Sequence, residues 1–390
     1  MSLIDIWKSQ KLQIEEKHIQ QIIAFSGDGQ LKDGNEASIE FRDFLSNIAS
    51  ALLISYASQC LENSFNGSGF ALQDIVNQVG SRLGFDVVYG RYRGVSGQIG
   101  CDGIWKFPSG HTIIVEVKTT DAYRIDLETI ANYRKQLIKN GSAVEHSTSV
   151  LIIVGRKDTG DLEAQIRGSR HAWDMRLISV DALMSLMRLK ESVEEPKTVQ
   201  RIHDILIPRE FTKLDEIIEI VFSTAEDVKE EEPIDDESDQ FTQKGKTPKF
   251  TPVSFHEACK DRIENKLGIT LLKQSKASFY SSDKSIRLIC AVSKEHERGN
   301  QTGYWFAFHP HQREFLSEAI NSYIAFGCGD KNTIILFPSD KFIPLLEHMN
   351  TTQKDDRFYW HVQILKNGTS YYMHAKKGYK DINISEYLMT

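Results

Sequence analysis

The segment Ile99-Gly-Cys-Asp-Gly-Ile-Trp105 leads, across a turn at Pro108-Ser-Gly110, into Gly110-His-Thr-Ile-Ile-Val-Glu-Val-Lys-Thr-Thr120. Both pieces have strand composition, and side chains on a strand alternate between its two faces. In residues 112–118, Glu116 and Lys118 therefore point the same way as Ile114, while Val115 and Val117 point the other way. A run this apolar is expected to be buried, and buried charges need partners or a metal. Glu116 and Lys118 can simply pair with each other. Asp102, on the preceding strand, adds a second reading: if the two strands pair across the turn, Asp102 and Glu116 come close together. Two close carboxylates repel unless a cation lies between them. Mg2+ suits such oxygen ligands, with water and a substrate phosphate completing its shell and Mn2+ as a substitute. The ion polarises a phosphodiester and lowers the pKa of a bound water. Lys118 is placed to orient that water or to stabilise charge developing on the phosphate.

Working outward, residues 37–59 carry a helical apolar rhythm in Ile39, Phe41, Phe44, Leu45, Ile48, Leu52 and Leu53. A second helix is predicted over 71–83, with Gly84 as its stop. Three short strands follow at 85–89, 100–105 and 112–118. Then come a helix (124–139), a buried strand (149–154), a helix (161–167), a strand (175–180) and a last helix (181–189) with Asp181 near its N-cap. This order indicates an α/β sandwich, a mixed sheet flanked by helices, with a meander at the start of the sheet.

In Asp102 followed by Glu116-Val117-Lys118, and in the order of elements over residues 37–189, the chain resembles the PD-(D/E)xK nuclease superfamily. That superfamily includes restriction endonucleases and Mrr-like enzymes. The resemblance implies a restriction-endonuclease-like fold with metal-dependent phosphodiesterase activity. It implies Asp102 and Glu116 as catalytic metal ligands, the Val117 carbonyl as a further ligand, and Lys118 as the catalytic lysine. Cys101 stands where the motif name has proline, a position loosely kept across the superfamily. Many Mrr-like members add an acid on the preceding helix, for which Asp74 is the nearest candidate here and Glu40 another. Gln136, on the following helix, is a further candidate for the site. Arg91, Arg93 and Gln98 lie in a glycine-rich loop between the first two strands and can meet a phosphate backbone, or simply form a solvated hairpin. Arg167, Arg170 and His171 offer a second such edge, or ordinary surface charge.

The net charge of −7 decides nothing about nucleic acid, because it is concentrated. Nine acids against Lys229 alone give residues 224–240 a charge of −8, leaving +1 on the remainder. A near-neutral body still accommodates a basic groove. Residues 224–252 are too poor in apolar side chains to offset the entropy of ordering, so a flexible acidic linker is expected there. It separates a nuclease domain with N-terminal helices (1–223) from a strand-rich α+β domain (253–390). The latter is rich in aromatics, and Trp305 and Trp360 are candidates for base stacking in DNA recognition; packing in strands is the plainer role.

No run of 18 apolar residues is present, so a membrane span is not expected, and the first ten residues lack the pattern of a secretory signal. Five scattered cysteines, none in a Cys-x-x-Cys pair, argue against a zinc knuckle or a disulfide framework and for a cytoplasmic protein. The expected function is a Mg2+-dependent endodeoxyribonuclease of restriction type, acting on double-stranded DNA as a homodimer. The alternatives are a non-cleaving DNA-binding protein on the same fold and a structure-specific repair nuclease.

Overall fold

The computed structural model describes residues 2–63, 65–94, 99–108, 110–119, 124–155, 159–193, 196–208, 252–298, 301–354 and 357–389. The chain divides into two compact units, Met1–Glu226 and Asp227–Thr390. The acidic stretch expected as a linker lies outside the described residues up to residue 251.

The first unit opens with three short helices, α1 (Leu3–Ser9), α2 (Lys11–Glu15) and α3 (Ile19–Phe25). The helix expected over 37–59 is two helices, α4 (Glu36–Asn47) and α5 (Ser50–Glu62). Ile48 and Ala49 between them are extended. Arg82 explains the break: its guanidinium donates to the carbonyls of Leu45, at 3.0 Å, and Ile48, which a continuous helix would have used internally. Arg82 belongs to α6 (Ser68–Leu83), which ends at Gly84 in the left-handed region, φ 102°, where glycine is favoured.

Five strands follow in the order β1 (Asp86–Tyr89), β2 (Gly103–Lys106), β3 (Thr112–Lys118), β4 (Thr148–Val154) and β5 (Met175–Ser179). The first three form an antiparallel meander, and β3, β4 and β5 run parallel. Helices α7 (Leu127–Lys139) and α8 (Gly160–Arg167) connect the parallel strands. The last helices among the described residues of this unit are α9 (Val180–Ser192) and α10 (Pro196–Ile205). The cap of α9 is Ser179, whose hydroxyl accepts from the Ala182 N–H at 3.1 Å, and Asp181 lies close behind it in the first turn.

Strand alternation divides the interior in two. Trp105, Ile113, Val115, Leu151 and Ile153 pack with α1–α6 and α9. Ile114, Val150, Ile152 and Val154 pack with α7 and α8. The unit is thus a mixed sheet with helices on both faces. Glu116 and Lys118 share the parity of Ile114 and so lie on the α7 side.

The described residues of the second unit begin with α11 (Pro252–Leu267) and are strand-rich. One sheet has the order β12 (Ile334–Pro338), β11 (Asn321–Cys328), β8 (Ile286–Ser293), β7 (Ser278–Ser281), β6 (Leu271–Lys273), with only β8 and β11 parallel among its pairs. The other is antiparallel. Its central pair is β10 (Gln301–Phe308) with β14 (Arg357–Asn367), extended by β9 (His296–Arg298), β13 (Asn350–Lys354), β15 (Ser370–Met373) and β16 (Ile382–Asn383). Among the described residues no helix is long and apolar enough to cross a membrane.

Candidate active site

Asp102 immediately precedes β2, and its N–H donates to the Val115 carbonyl at 3.0 Å, one step beyond the last paired residues of β2 and β3. The turn-paired arrangement therefore forms and carries the Asp102 carboxylate to the end of β3. Its Oδ2 accepts the Val117 N–H at 2.6 Å. The N–H and C=O of one strand residue point to the same edge. The Val117 carbonyl thus opens toward the same edge as Asp102, where β2 no longer runs alongside. The Lys118 carbonyl points the other way and accepts the Gly155 N–H at 2.9 Å.

Glu116 is 8% exposed, and its two oxygens have different surroundings. Oε1 accepts from Lys118 Nζ at 2.6 Å. Oε2 is buried and has no hydrogen-bond partner among the described residues. An unpaired buried carboxylate oxygen is costly. Burial lifts the Asp102 carboxyl well above the usual carboxylate range, and the nearby Glu116 charge lifts it further against the Val117 N–H and Lys118. Burial also raises Glu116, against the pull of Lys118. Although burial alone would lower it, Lys118 is raised by Glu116 and then by Asp102, and stays a firm cation. With both carboxylates ionised, the single ammonium leaves the site one positive charge short.

The oxygen donors that can hold a cation here are Asp102, Glu116 Oε2 and the Val117 carbonyl. Among the described residues no group of three or more His, Cys, Asp or Glu is gathered. That composition does not make a closed metal cage. It does fit Mg2+, which holds its waters and uses one or two carboxylates together with substrate phosphate.

No protein-family model matches the chain, and no curated protein matches it.

The other candidates separate clearly. Asp74 is fully buried on α6, where Arg42 Nε donates to it at 3.0 Å and the Tyr92 hydroxyl donates to its other oxygen. Burial raises its carboxyl to about 6, opposed by Arg42 and Tyr92. It belongs to a buried ion pair rather than to the Asp102–Glu116 pair. Glu40 accepts the N–H groups of Leu3 and Gly27, each at 3.2 Å, and ties the N-terminal helices together. Gln136 is half-buried on α7 and makes no side-chain hydrogen bond to Asp102, Glu116 or Lys118. One turn earlier, Tyr133 feels Glu116, Lys118 and Asp102 electrostatically, although burial is the largest cause of its raised pKa. Sequence alone does not distinguish Tyr133, because an aromatic on an apolar helix face reads as packing.

Arg91 and Arg93 are exposed on either side of buried Tyr92, whose N–H donates to Asp33 at 2.7 Å. Tyr92 thus pins a loop that presents two arginines. Gln98 lies outside the described residues. Arg170 and His171 both engage Glu128, at 2.6 and 3.0 Å, and Arg167 pairs with Glu163 at 3.1 Å, so these form local ion pairs. In the second unit Trp360 packs against the buried core and Phe308. Trp305 is half-buried, with its Nε1 donating to His361 Nδ1 at 3.2 Å.

Glycine is required where α6 meets β2. A Cβ on Gly103 would lie 2.1 Å from Asn77 Oδ1. We expect Gly103→Ala to cost about 1–3 kcal/mol of stability, the usual range for overpacking. Chemical denaturation checks this; an unchanged midpoint would show that α6 shifts freely.

Proposed function

We propose that the protein is a Mg2+-dependent endodeoxyribonuclease of the PD-(D/E)xK type, hydrolysing double-stranded DNA at Asp102, Glu116 and Lys118. The observation that carries this reading is the buried, unpartnered Oε2 of Glu116 beside the Asp102 carboxylate. Two carboxylates held together out of water destabilise a fold unless a cation compensates them. When bound, Mg2+ supplies Lewis-acid polarisation of the phosphodiester. Asp102, Glu116 and the Val117 carbonyl hold it in place. The Lys118 ammonium stabilises negative charge developing on the phosphate. Arg91 and Arg93 meet the DNA backbone on the adjacent loop. The second unit supplies target recognition, as a restriction-type enzyme requires, since a cleavage motif carries no sequence code. Cutting both strands with one site per chain is best served by a homodimer.

One observation favours a second reading, a DNA-binding protein that does not cut: Lys118 already neutralises one oxygen of Glu116, at 2.6 Å. Incubation of plasmid and phage DNA, methylated and unmethylated, with Mg2+ or with EDTA separates the two. The nuclease reading expects strand scission only with metal. Binding of DNA without scission under any of these conditions sinks it.

The titration of the pair gives a further expectation. Both carboxyls bind protons more tightly in the folded chain than in an unfolded one. Their destabilising effect is absent below the ordinary carboxylate range and grows as pH rises through the raised values. A divalent cation needs both groups deprotonated. Mn2+ should therefore raise the melting temperature more at about pH 8 than at about pH 5.5. Equal increments at the two pH values would contradict cation binding at this pair.

A further inference from the structure

The Asp102 carbonyl oxygen accepts from the Gly90 N–H at 3.0 Å, from Gln73 Nε2 at 3.1 Å and from Asn77 Nδ2 at 2.8 Å. A carbonyl has two lone pairs, and the Gly90 N–H alone would spare it the cost of burial. The two amides come from positions four apart on α6, and both are buried, Gln73 at 3% and Asn77 at 0% exposure. A helix face buried against a sheet is ordinarily apolar, and buried amides are tolerated only when their hydrogen bonds are met.

The orientation of Asn77 is fixed. Its Oδ1 accepts the Trp105 indole N–H at 3.0 Å, which leaves Nδ2 for Asp102. Gln73 reaches further and also approaches the Arg91 carbonyl at 3.4 Å. On its other side Asp102 is held by β3, through its own N–H and through Oδ2. The residue is clamped between α6 and β3 at its N–H, its C=O and its carboxylate. Glu116 is held by β3 as well, so the clamp sets the separation of the two carboxylates.

We infer that Gln73 and Asn77 are positioning residues for a divalent-cation site at Asp102 and Glu116, a role that rests on the nuclease reading above. Neither touches the cation or the DNA. They act through the Asp102 backbone, as outer partners of metal ligands do, whose loss typically costs about 10–100-fold in affinity.

The test is a Mn2+ titration of the full chain by calorimetry, with the Mn2+ electron paramagnetic resonance spectrum recorded at saturation. Gln73→Met keeps size and removes the donor. Gln78→Met, on the same helix, is the control. Gln78 is also buried but accepts from the Tyr89 hydroxyl, at 3.3 Å, rather than reaching Asp102. We expect Gln73→Met to weaken Mn2+ binding by about tenfold or more and to alter the spectrum, and Gln78→Met to leave both within about twofold. Asn77→Asp keeps the acceptor for Trp105 but places a carboxylate against the Asp102 carbonyl, and should weaken binding further. It serves as the second variant should Gln73→Met fold poorly. Wild-type affinity and spectrum in Gln73→Met and in Asn77→Asp overturn the positioning role while leaving the metal site intact. Failure of the wild type to bind Mn2+ overturns both.

Discussion

Asp102→Asn should lower metal-dependent DNA cleavage by about a thousandfold or more while leaving the protein folded. The expected size follows from losing several kcal/mol of charge stabilisation at about 1.4 kcal/mol per tenfold in rate. The asparagine oxygen still accepts the Val117 N–H, so the end of β3 keeps its shape. A stability gain should accompany the loss of activity. Burial and Glu116 disfavour the Asp102 carboxylate, so replacing it with a neutral amide relieves the metal-free fold at neutral pH. Glu116→Gln should behave alike in both respects. Lys118→Ala should lose comparable activity but gain no stability, because it removes the partner of Glu116 Oε1. Residues acting as one unit are non-additive, so the double variant Asp102→Asn with Lys118→Ala should be about as inactive as either single variant. Cleavage rates paired with melting temperatures in EDTA check the set. Activity falling only in proportion to stability would mark these residues as structural.

Arg42→Met should cost about 3–5 kcal/mol of stability, the range for stranding a buried charge. Asp74 is fully buried, and its charge is met by Arg42 at 3.0 Å and by the Tyr92 hydroxyl. The Arg42 guanidinium also lies 4.4 Å from the Tyr89 ring centroid and 5.0 Å from that of Tyr92, so it packs as well as pairs. The sign of the pH effect is fixed by Asp74, whose carboxyl is raised to about 6 even with Arg42 present. Protonated Asp74 needs no cation. The loss should therefore be smallest well below that value and grow as pH rises above it, because without Arg42 the Asp74 carboxyl is raised further still. Adding Asp74→Asn to Arg42→Met should recover much of the loss, since removing both charges leaves no stranded ion. Urea denaturation at about pH 5 and about pH 8 measures this. A pH-independent loss, or no recovery in the double variant, would mean that packing rather than charge dominates.

The difference between Asp74 and Glu116 shows where the sequence was legible. Glu116 sits in a seven-residue strand whose period-two pattern placed its side chain beside Lys118 and brought Asp102 within reach across one short turn. Those are local relations, and alternation determines them. Asp74 lay on the expected helix, yet its role depends on Arg42, 32 residues away, which no local pattern reports. The same holds for the break between α4 and α5, made by Arg82 from 34 residues beyond Ile48. Gln73 and Asn77 are uncharged and match no motif. Their signal, two amides at helical spacing on an apolar face, is weak until Asp102 is seen beneath them. In the second unit, strands as short as β6, β9 and β16 carry too few residues to establish a period.

Anomalous scattering from crystals of the full chain grown with Mn2+ locates a bound cation at Asp102 and Glu116 directly. One peak is expected, at about 2.0–2.1 Å from an Asp102 carboxylate oxygen, Glu116 Oε2 and the Val117 carbonyl. Well-ordered Asp102 and Glu116 side chains with no peak between them, and Lys118 still on Glu116, would contradict it.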